Sequence, residues 1–393
     1  MSATNKRILI FSTAYLPFVG GAEIAVKEIT DRLGVTGNGS TGNSRENGTG
    51  YEFEMITLNL DGKQKSEERI GSVFVQRLGG GGYFYKLLYP FAALYLARRR
   101  HRISAFAATW SIMASFSGFA ALFFKVSYPN VSFVLTLQEG DPLSRPQRRA
   151  AIVWPLFWQI FRQADSIQVI SKYLADFAKR MGAKAPIKVI PNGVDLKNFS
   201  APVSNEEKKV IRNELPAVTT YLVTVSRLVE KNGVKDIIDA LRLLPTSVGL
   251  IIVGTGKLEK KLKDQAASLS LTKRIFFVGS VAYKNVPKWL AAGDIFIRPS
   301  LSEGMGNAFI EAMAVGVPVI GTPVGGIVDF LRDGETGVFC QPHNPSSIAE
   351  AVKKLLADPT LRQKVIEHGK KLAMSYDWNI VAKRIDEDVF QKI

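Results

Sequence analysis

The apolar positions of the chain fall into short runs of strand type and longer segments of helical period. RILIFST (7–13), YEFEMITL (51–58), SVFVQRL (72–78), VSFVLTL (131–137) and SIQVIS (166–171) form a first set of strands. TTYLVTVS (219–226), VGLIIVG (248–254), RIFFVG (274–279), DIFIRPS (294–300) and VPVIG (317–321) form a second. Helical patterns lie between most of them, for example GAEIAVKEITDRL (21–33) and KLEKKLKDQAASL (257–269). Near-continuous apolar strands alternating with helices predict parallel sheets covered on both faces, an α/β fold. The turn-forming stretch Pro191–Asp195 interrupts this pattern and divides it into two blocks. The expected organisation is a first domain over 1–195, a second over 196–377, and a final helical segment over 378–393. In open α/β sheets ligands sit beyond the carboxyl ends of the strands, so two facing blocks predict a cleft between them.

Length agrees with two domains, since 393 residues exceed what one core comfortably serves. A single cysteine, Cys340, excludes an internal disulfide and a multi-cysteine metal site, which fits a reducing compartment. The opening MSATNKRILIFSTAY has too short an apolar run for a signal peptide and reads as a first strand. Residues 103–124 carry no charge over a length that could span a bilayer, but serines, a threonine and a glycine dilute them. They are expected to split into a strand at 104–109 and a helix at 111–125. The segment 34–50 is rich in Gly, Asn, Ser and Thr and cannot build a core, so it reads as a surface loop. Its Asn-Gly-Ser and Asn-Gly-Thr triplets are formal glycosylation acceptors, for which no secretion signal provides a context.

The net charge of +16 is uneven: residues 1–199 hold 25 Lys/Arg against 14 Asp/Glu. That excess favours anionic partners such as phosphates, nucleic acid or an acidic membrane face. YFYKLLYPFAALYLARRRHR (83–102) and RPQRRAAIVWPLFWQIFRQ (145–163) mix aromatics with arginines. They read either as segments lying at an anionic bilayer surface or as core helices with basic ends.

Three stretches could carry chemistry. Gly20 and Gly21 open the helix after the first strand, where amides and the helix dipole can face an anion; they equally make a plain turn. Arg227 and Lys231 follow the strand that begins the second block, a placement suited to a diphosphate or to solvated surface charge. In SEGMGNAFIEAMAVG (302–316), Glu303 precedes a turn of Gly304, Met305, Gly306 and Asn307, with Glu311 about two turns away on a helix. Backbone donors there could bind sugar hydroxyls while the carboxylates accept hydroxyl protons.

These residues, above all EGMGNAFIEAMA with seven residues between its glutamates, resemble the retaining GT-B glycosyltransferases, the superfamily of glycogen synthases, sucrose synthases and bacterial lipid and polysaccharide glycosyltransferases. The likeness runs over nearly the whole chain and is strongest from Val225 to Phe339, including PVGGIVDFLRDGETGVF. It implies two Rossmann-like domains facing across a cleft, with the tail helix from Trp378 returning to the first. It implies hexosyl transfer from a UDP- or GDP-linked sugar to an acceptor glycan or lipid-linked sugar, with retained anomeric configuration and neither metal nor other cofactor. Its implied roles place Gly20 and Gly21 near the donor diphosphate and Arg227 on the leaving phosphate. Glu303 with the amides of Gly304, Met305, Gly306 and Asn307 would hold the sugar, Glu311 the ribose, and Gly254 with Phe277 and Val278 the base. Two positions depart from the family pattern. Asn232 stands where the family usually has a phosphate lysine, leaving Lys231 as the expected substitute. TLQEGDP (136–142) lacks the usual histidine, so Glu139 and Asp141 become the acceptor-side candidates. All three histidines, His101, His343 and His368, lie outside these motifs and read as structural or solvated. A cytoplasmic protein, peripheral at the inner face of the membrane, is the expected setting. A catalytically silent relative with the same scaffold and a basic nucleic-acid-binding protein are the rival readings, although no nucleic-acid motif is present.

Overall fold

A computed structural model of the chain describes residues 5–18, 20–35, 50–141 and 154–393. The core of the Gly/Asn-rich segment at 36–49 and the basic stretch at 142–153 lie outside the described residues. The chain divides into two compact units, one of residues 1–192 with Trp378–Ile393 and one of Gly193–Asp377.

The first unit is built on an eight-stranded sheet: β1 (Lys6–Phe11), β2 (Tyr51–Leu58), β3 (Glu67–Ile70), β4 (Val73–Leu78), β5 (Ala108–Ile112), β6 (Ser132–Leu137), β7 (Ser166–Val169) and β8 (Ile187–Val189). Their order is β3-β4-β2-β1-β5-β6-β7-β8, parallel except for β3 against β4. Ile8, Ile10, Phe53, Met55, Val134 and Leu135 are buried, as strands covered on both faces require. The uncharged 103–124 region does form a strand and a helix, but both lie later than the sequence suggests. The strand is β5 and the helix is Phe116–Ser127. Pairing sets the difference: β5 aligns Ala108 with Ile8 and Ser111 with Phe11, so register to β1 fixes its start and the apolar residues before it are linker. Met113, at φ 70°, then turns the chain before the helix.

The tail completes the first unit's core. Trp378, Val381, Ile385, Val389 and Phe390 pack with Tyr51, Phe53 and Trp110. Phe390 meets Trp110 edge-on at 5.2 Å between ring centroids and Tyr51 at 5.4 Å. The Tyr51 hydroxyl donates to Asp386 at 2.7 Å, which gives that buried carboxylate a partner.

The second unit holds β9 (Thr220–Val225), β10 (Val248–Val253), β11 (Ile275–Gly279), β12 (Ile295–Arg298), β13 (Val319–Gly321) and β14 (Val338–Phe339). Their order is β11-β10-β9-β12-β13-β14, all parallel. The chain runs from β9 outward through β10 and β11, then returns to the other side of β9 with β12. The strand order reverses between β9 and β12, and the carboxyl ends of these two strands therefore flank a crevice where α/β sheets bind ligands.

Candidate functional site

Arg227 and Glu303 leave the sheet at that reversal, one after β9 and the other after β12. The loop after β9 is pinned from three sides. The Ser226 amide donates to Val253 O at 3.0 Å, and the Leu228 amide to Thr255 O at 2.9 Å. Leu301 N donates to Lys231 O at 2.7 Å, tying this loop to the one after β12. Residues Glu230–Asn232 make one 3-10 turn closed by Gly233 at φ 67°. A side chain at Gly233 would place its Cβ 2.1 Å from Pro299 O, so only glycine permits this approach. The Arg227 side chain is exposed on this loop, Lys231 is half-buried, and Asn232 is buried.

The stretch from Ser302 to Gly306 is buried although it is a loop. Gly306, at φ 99°, starts the helix Asn307–Val315 without a side-chain cap. The run Ala-Phe-Ile-Glu-Ala-Met-Ala propagates the helix, and Gly316 in the left-handed region ends it, its amide donating to Ala312 O and Met313 O. Glu311 is the fifth residue of this helix, just over one turn from its start. Glu303 and Glu311 are each only 8% exposed.

Glu303 is held on both oxygens: Oε1 accepts the Gly304 amide at 3.1 Å, and Oε2 accepts Arg298 Nη2. The backbone of Glu303 is fixed as well, its carbonyl accepting the Gly326 amide at 3.1 Å. Gly325 lies against that carbonyl at φ 55°, where a Cβ would stand 1.9 Å from the oxygen. The PVGG turn therefore supports Glu303 from below. Glu311 accepts the Tyr283 hydroxyl at 3.0 Å. Burial raises its carboxyl from 4.5 to about 7, opposed by Tyr283 and by the charge of Arg298. Tyr283 is in turn packed on Phe199.

Gly254 ends β10 at φ 127°, its amide bonded to Gly279 O at 2.7 Å. A Cβ there would meet Ser226 O at 2.1 Å, which puts the Gly254 backbone beside the residue preceding Arg227. Val278 lies in the edge strand β11, half-buried. Arg227, Lys231, Gly254, Val278, Glu303–Asn307 and Glu311 are thus all in the second unit, around the carboxyl ends of its strands.

Gly20, Gly21, Glu139 and Asp141 belong to the first unit. Gly21 starts the helix Gly21–Leu33 with Gly20 as its cap, and no side chain caps it. Glu23 occupies the first turn, and its carboxylate lies 2.5 Å from where a Gly20 Cβ would stand, so part of the positive helix end already faces a carboxylate. Glu139 follows β6. Its Oε1 accepts the Ala114 amide at 2.8 Å and its Oε2 is buried without a hydrogen-bond partner, so burial pushes its carboxyl up. Asp141 is half-buried. Gln138, in the same TLQEGDP stretch, accepts the Asn192 amide at 3.0 Å. His101 accepts the Phe106 amide at 3.0 Å among aromatic rings, His343 lies 3.8 Å from Asp236, and His368 is exposed on the helix Pro359–Met374. Among the described residues no three His, Cys, Asp or Glu side chains gather as a metal centre would need.

The sequence reading missed Arg298, Tyr283 and Gly325. Arg298 carried a usable signal, a charge at the end of a strand otherwise made of Ile and Phe. Tyr283 had none, because an aromatic in a loop is ordinarily core.

Residues 205–372 match the profile of the glycosyl transferases group 1, and residues 47–198 that of glycosyltransferase family 4. The residues of the second unit from 205 to 372 thus carry the group 1 glycosyltransferase profile. A GDP-mannose-dependent monoacylated alpha-(1-6)-phosphatidylinositol monomannoside mannosyltransferase of Corynebacterium glutamicum is 30% identical over 241 residues, 58% of this chain and 62% of that protein. The lipopolysaccharide core biosynthesis glycosyltransferase LpsE of Rhizobium meliloti is 30% identical over 55% of this chain and 61% of its own. An uncharacterized glycosyltransferase of Methanocaldococcus jannaschii is 30% identical over 50% of this chain and 52% of its own. The chain thus spans between half and two thirds of the length of these relatives. Among solved structures, sucrose-phosphate synthase of Thermosynechococcus elongatus superposes with a TM-score of 0.84 at 21% identity, over 99% of each chain. Anabaena HepE, in complex with UDP and glucose, gives 0.78 at 19% identity over 98% of this chain and all of its own. The fold is GT-B: two parallel α/β units of Rossmann type.

Proposed function

We propose that this glycosyltransferase moves a hexose from a UDP- or GDP-linked sugar to an acceptor hydroxyl with retention of anomeric configuration. The observation that supports it most is the pair of buried carboxylates, Glu303 and Glu311, flanking Arg298 at the strand-order reversal. Buried carboxylates need partners, and sugar and ribose hydroxyls are donors that can reach a carboxylate's remaining lone pairs. Glu303 is assigned to the donor sugar together with the Gly304–Asn307 loop, and Glu311 to the ribose. Gly254 and Val278 line the base. The barrier is charge separation as the bond from the anomeric carbon to the phosphate oxygen breaks. Arg227 and Lys231 stabilise the charge gathering on the diphosphate. The acceptor oxygen attacks from the face the diphosphate leaves, and its proton passes to a phosphate oxygen, so the step uses no metal and no protein nucleophile. Gly20 and Gly21 are assigned to close approach of the diphosphate, and Glu139 and Asp141 to the acceptor side. The named donor of the corynebacterial relative and the UDP and glucose held by the Anabaena protein agree with this donor class.

A panel of UDP- and GDP-linked sugars tests the reading by thermal shift. A donor present at about 100 times its Kd stabilises the folded protein by about 2.7 kcal/mol. A shift confined to one nucleotide class, followed by turnover with that donor, is the expected result. No shift and no hydrolysis or transfer with any donor would leave the silent-scaffold reading standing.

We further propose a lipid-linked acceptor at an anionic bilayer, on the evidence of the helix Tyr83–Ile103. Tyr89, Ala93 and Ala97 are buried, while Phe84, Leu87, Leu88, Phe91, Tyr95 and Ile103 are exposed. Phe91, Tyr95, Arg98, Arg99 and Arg102 border one groove of about 590 Å³, and the helix carries no acidic residue. Apolar rings beside cations suit the headgroup region of an anionic membrane. No helix among the described residues is long and apolar enough to cross a membrane. The protein is expected to pellet with phosphatidylglycerol vesicles at low salt and not with phosphatidylcholine alone. Phe91→Glu with Tyr95→Glu should abolish that binding, and failure of the unaltered protein to pellet would remove the membrane from the account.

A further inference from the structure

The donor site contains a buried cation that the family-style reading of the sequence does not assign. Arg298 is the last residue of β12, after Ile295, Phe296 and Ile297, all fully buried. Its side chain is 11% exposed. Nη2 donates to Glu303 Oε2 and, at 3.1 Å, to Asn232 Oδ1. Asn232 Nδ2 donates to the Arg227 carbonyl at 2.6 Å. A single chain of hydrogen bonds therefore runs from the loop after β9, through Asn232 and Arg298, to the carboxylate after β12.

We propose that Arg298 is the positioning residue of the donor site: held by Asn232, it fixes the Glu303 carboxylate in the orientation that receives the donor sugar. This rests on the functional reading above. Two fixed donors, the Gly304 amide and the Arg298 guanidinium, engage the two oxygens of Glu303 and so define the plane of the carboxylate. Each oxygen keeps a lone pair for a hydroxyl. A guanidinium suits this task because its donors are held in one plane, which an ammonium on a flexible stem does not offer.

The same geometry explains the residue at 232. The position needs an acceptor toward Arg298 and a donor toward the Arg227 carbonyl, and a carboxamide supplies both. A lysine has no acceptor and would set a second cation against the guanidinium. An aspartate would add a carboxylate and lose the donor. Residue 231 does not share this direction, since successive residues of a 3-10 turn point about 120° apart. Charge at 232 and charge at 298 are therefore alternatives, and this chain has placed its cation on β12.

Four variants test the assignment: Arg298→Leu, Arg298→Lys, Asn232→Lys and the double variant Asn232→Lys/Arg298→Leu. With the donor identified by the panel, Arg298→Leu should lower kcat by about 100-fold, the scale of a displaced catalytic contact. Read well above pH 7, where Glu311 is ionised with or without the Arg298 charge, its Kd for the free nucleoside diphosphate should stay within about threefold, because Glu311 and the loop after β9 still hold the nucleotide. Arg298→Lys should recover part of kcat. Asn232→Lys should be as impaired as Arg298→Leu, and the double variant should exceed Asn232→Lys, since the like-charge conflict is gone. Unchanged kcat in Arg298→Leu, or parallel loss of kcat, nucleotide binding and Tm, would overturn the positioning role. If the unaltered protein neither binds nor turns over any donor, the functional reading fails instead. The pairing is then judged on Tm alone: recovery in the double variant supports it, and additive losses overturn it.

Discussion

Arg227→Ala is expected to lower kcat/KM for sugar transfer by about 100- to 1000-fold, the usual effect of removing one group that stabilises developing negative charge. The fold should be unaffected. The Arg227 side chain is exposed, and the residue's structural contribution is its carbonyl, which accepts from Asn232 and Val229 whatever the side chain. Loss of transfer with unchanged Tm and little change in acceptor KM would place the guanidinium on the leaving diphosphate. Full activity in the variant would remove Arg227 from the reaction. Single-turnover rates with saturating donor provide the measurement, since they separate the chemical step from product release.

Glu311→Gln is expected to act on stability and on binding in opposite directions. Burial raises the Glu311 carboxyl from 4.5 to about 7. Its folded-state value lies above the unfolded one, so between these limits the folded chain binds a proton that the unfolded chain has released. The neutral acid thus favours folding at low pH, and that advantage is lost as pH rises from about 4.5 to about 7. At about 1.4 kcal/mol per pH unit, the ionised residue costs the folded state about 3 kcal/mol at pH 8. Glu311→Gln should therefore be more stable than the unaltered protein at pH 8, and similar to it near pH 4.5, by chemical denaturation at each pH. Nucleotide binding should weaken about tenfold or more, because the amide offers one acceptor where the carboxylate offered two. In the unaltered protein nucleotide affinity should rise with pH through about 7, as hydroxyl donors favour the ionised form. A stability gain without a binding loss would make Glu311 a residue of the fold alone.

The α/β class was legible because the strands of both sheets are buried on both faces and so appear as uninterrupted apolar runs. YEFEMITL was read at its observed bounds, Tyr51–Leu58. Elements whose limits depend on distant partners were not. β5 was placed four residues early because its start is set by pairing with β1, and Ser104–Phe106 are as apolar as a strand. β3, β8 and β14 are four, three and two residues long, too short to show a period. In the second unit, Glu303 and Glu311 drew notice as charges in apolar surroundings. Arg298 satisfies the same criterion, but as the end of DIFIRPS it was absorbed into a strand. Asn232 was noticed as a departure from a pattern, and its physical reason became visible only with Arg298 beside it. Gly325 and Tyr283 act through contacts with residues 22 and 28 positions away, which no local pattern encodes.

The packing of Trp378–Phe390 on Tyr51, Phe53 and Trp110 also sets the order in which the chain can be completed during synthesis. The core of the first unit lacks an aromatic layer until residues 378–393 have been made, whereas the second unit, Gly193–Asp377, is contiguous in the chain. A chain stopped before residue 378 is therefore expected to hold every residue of the second unit but an unfinished first one.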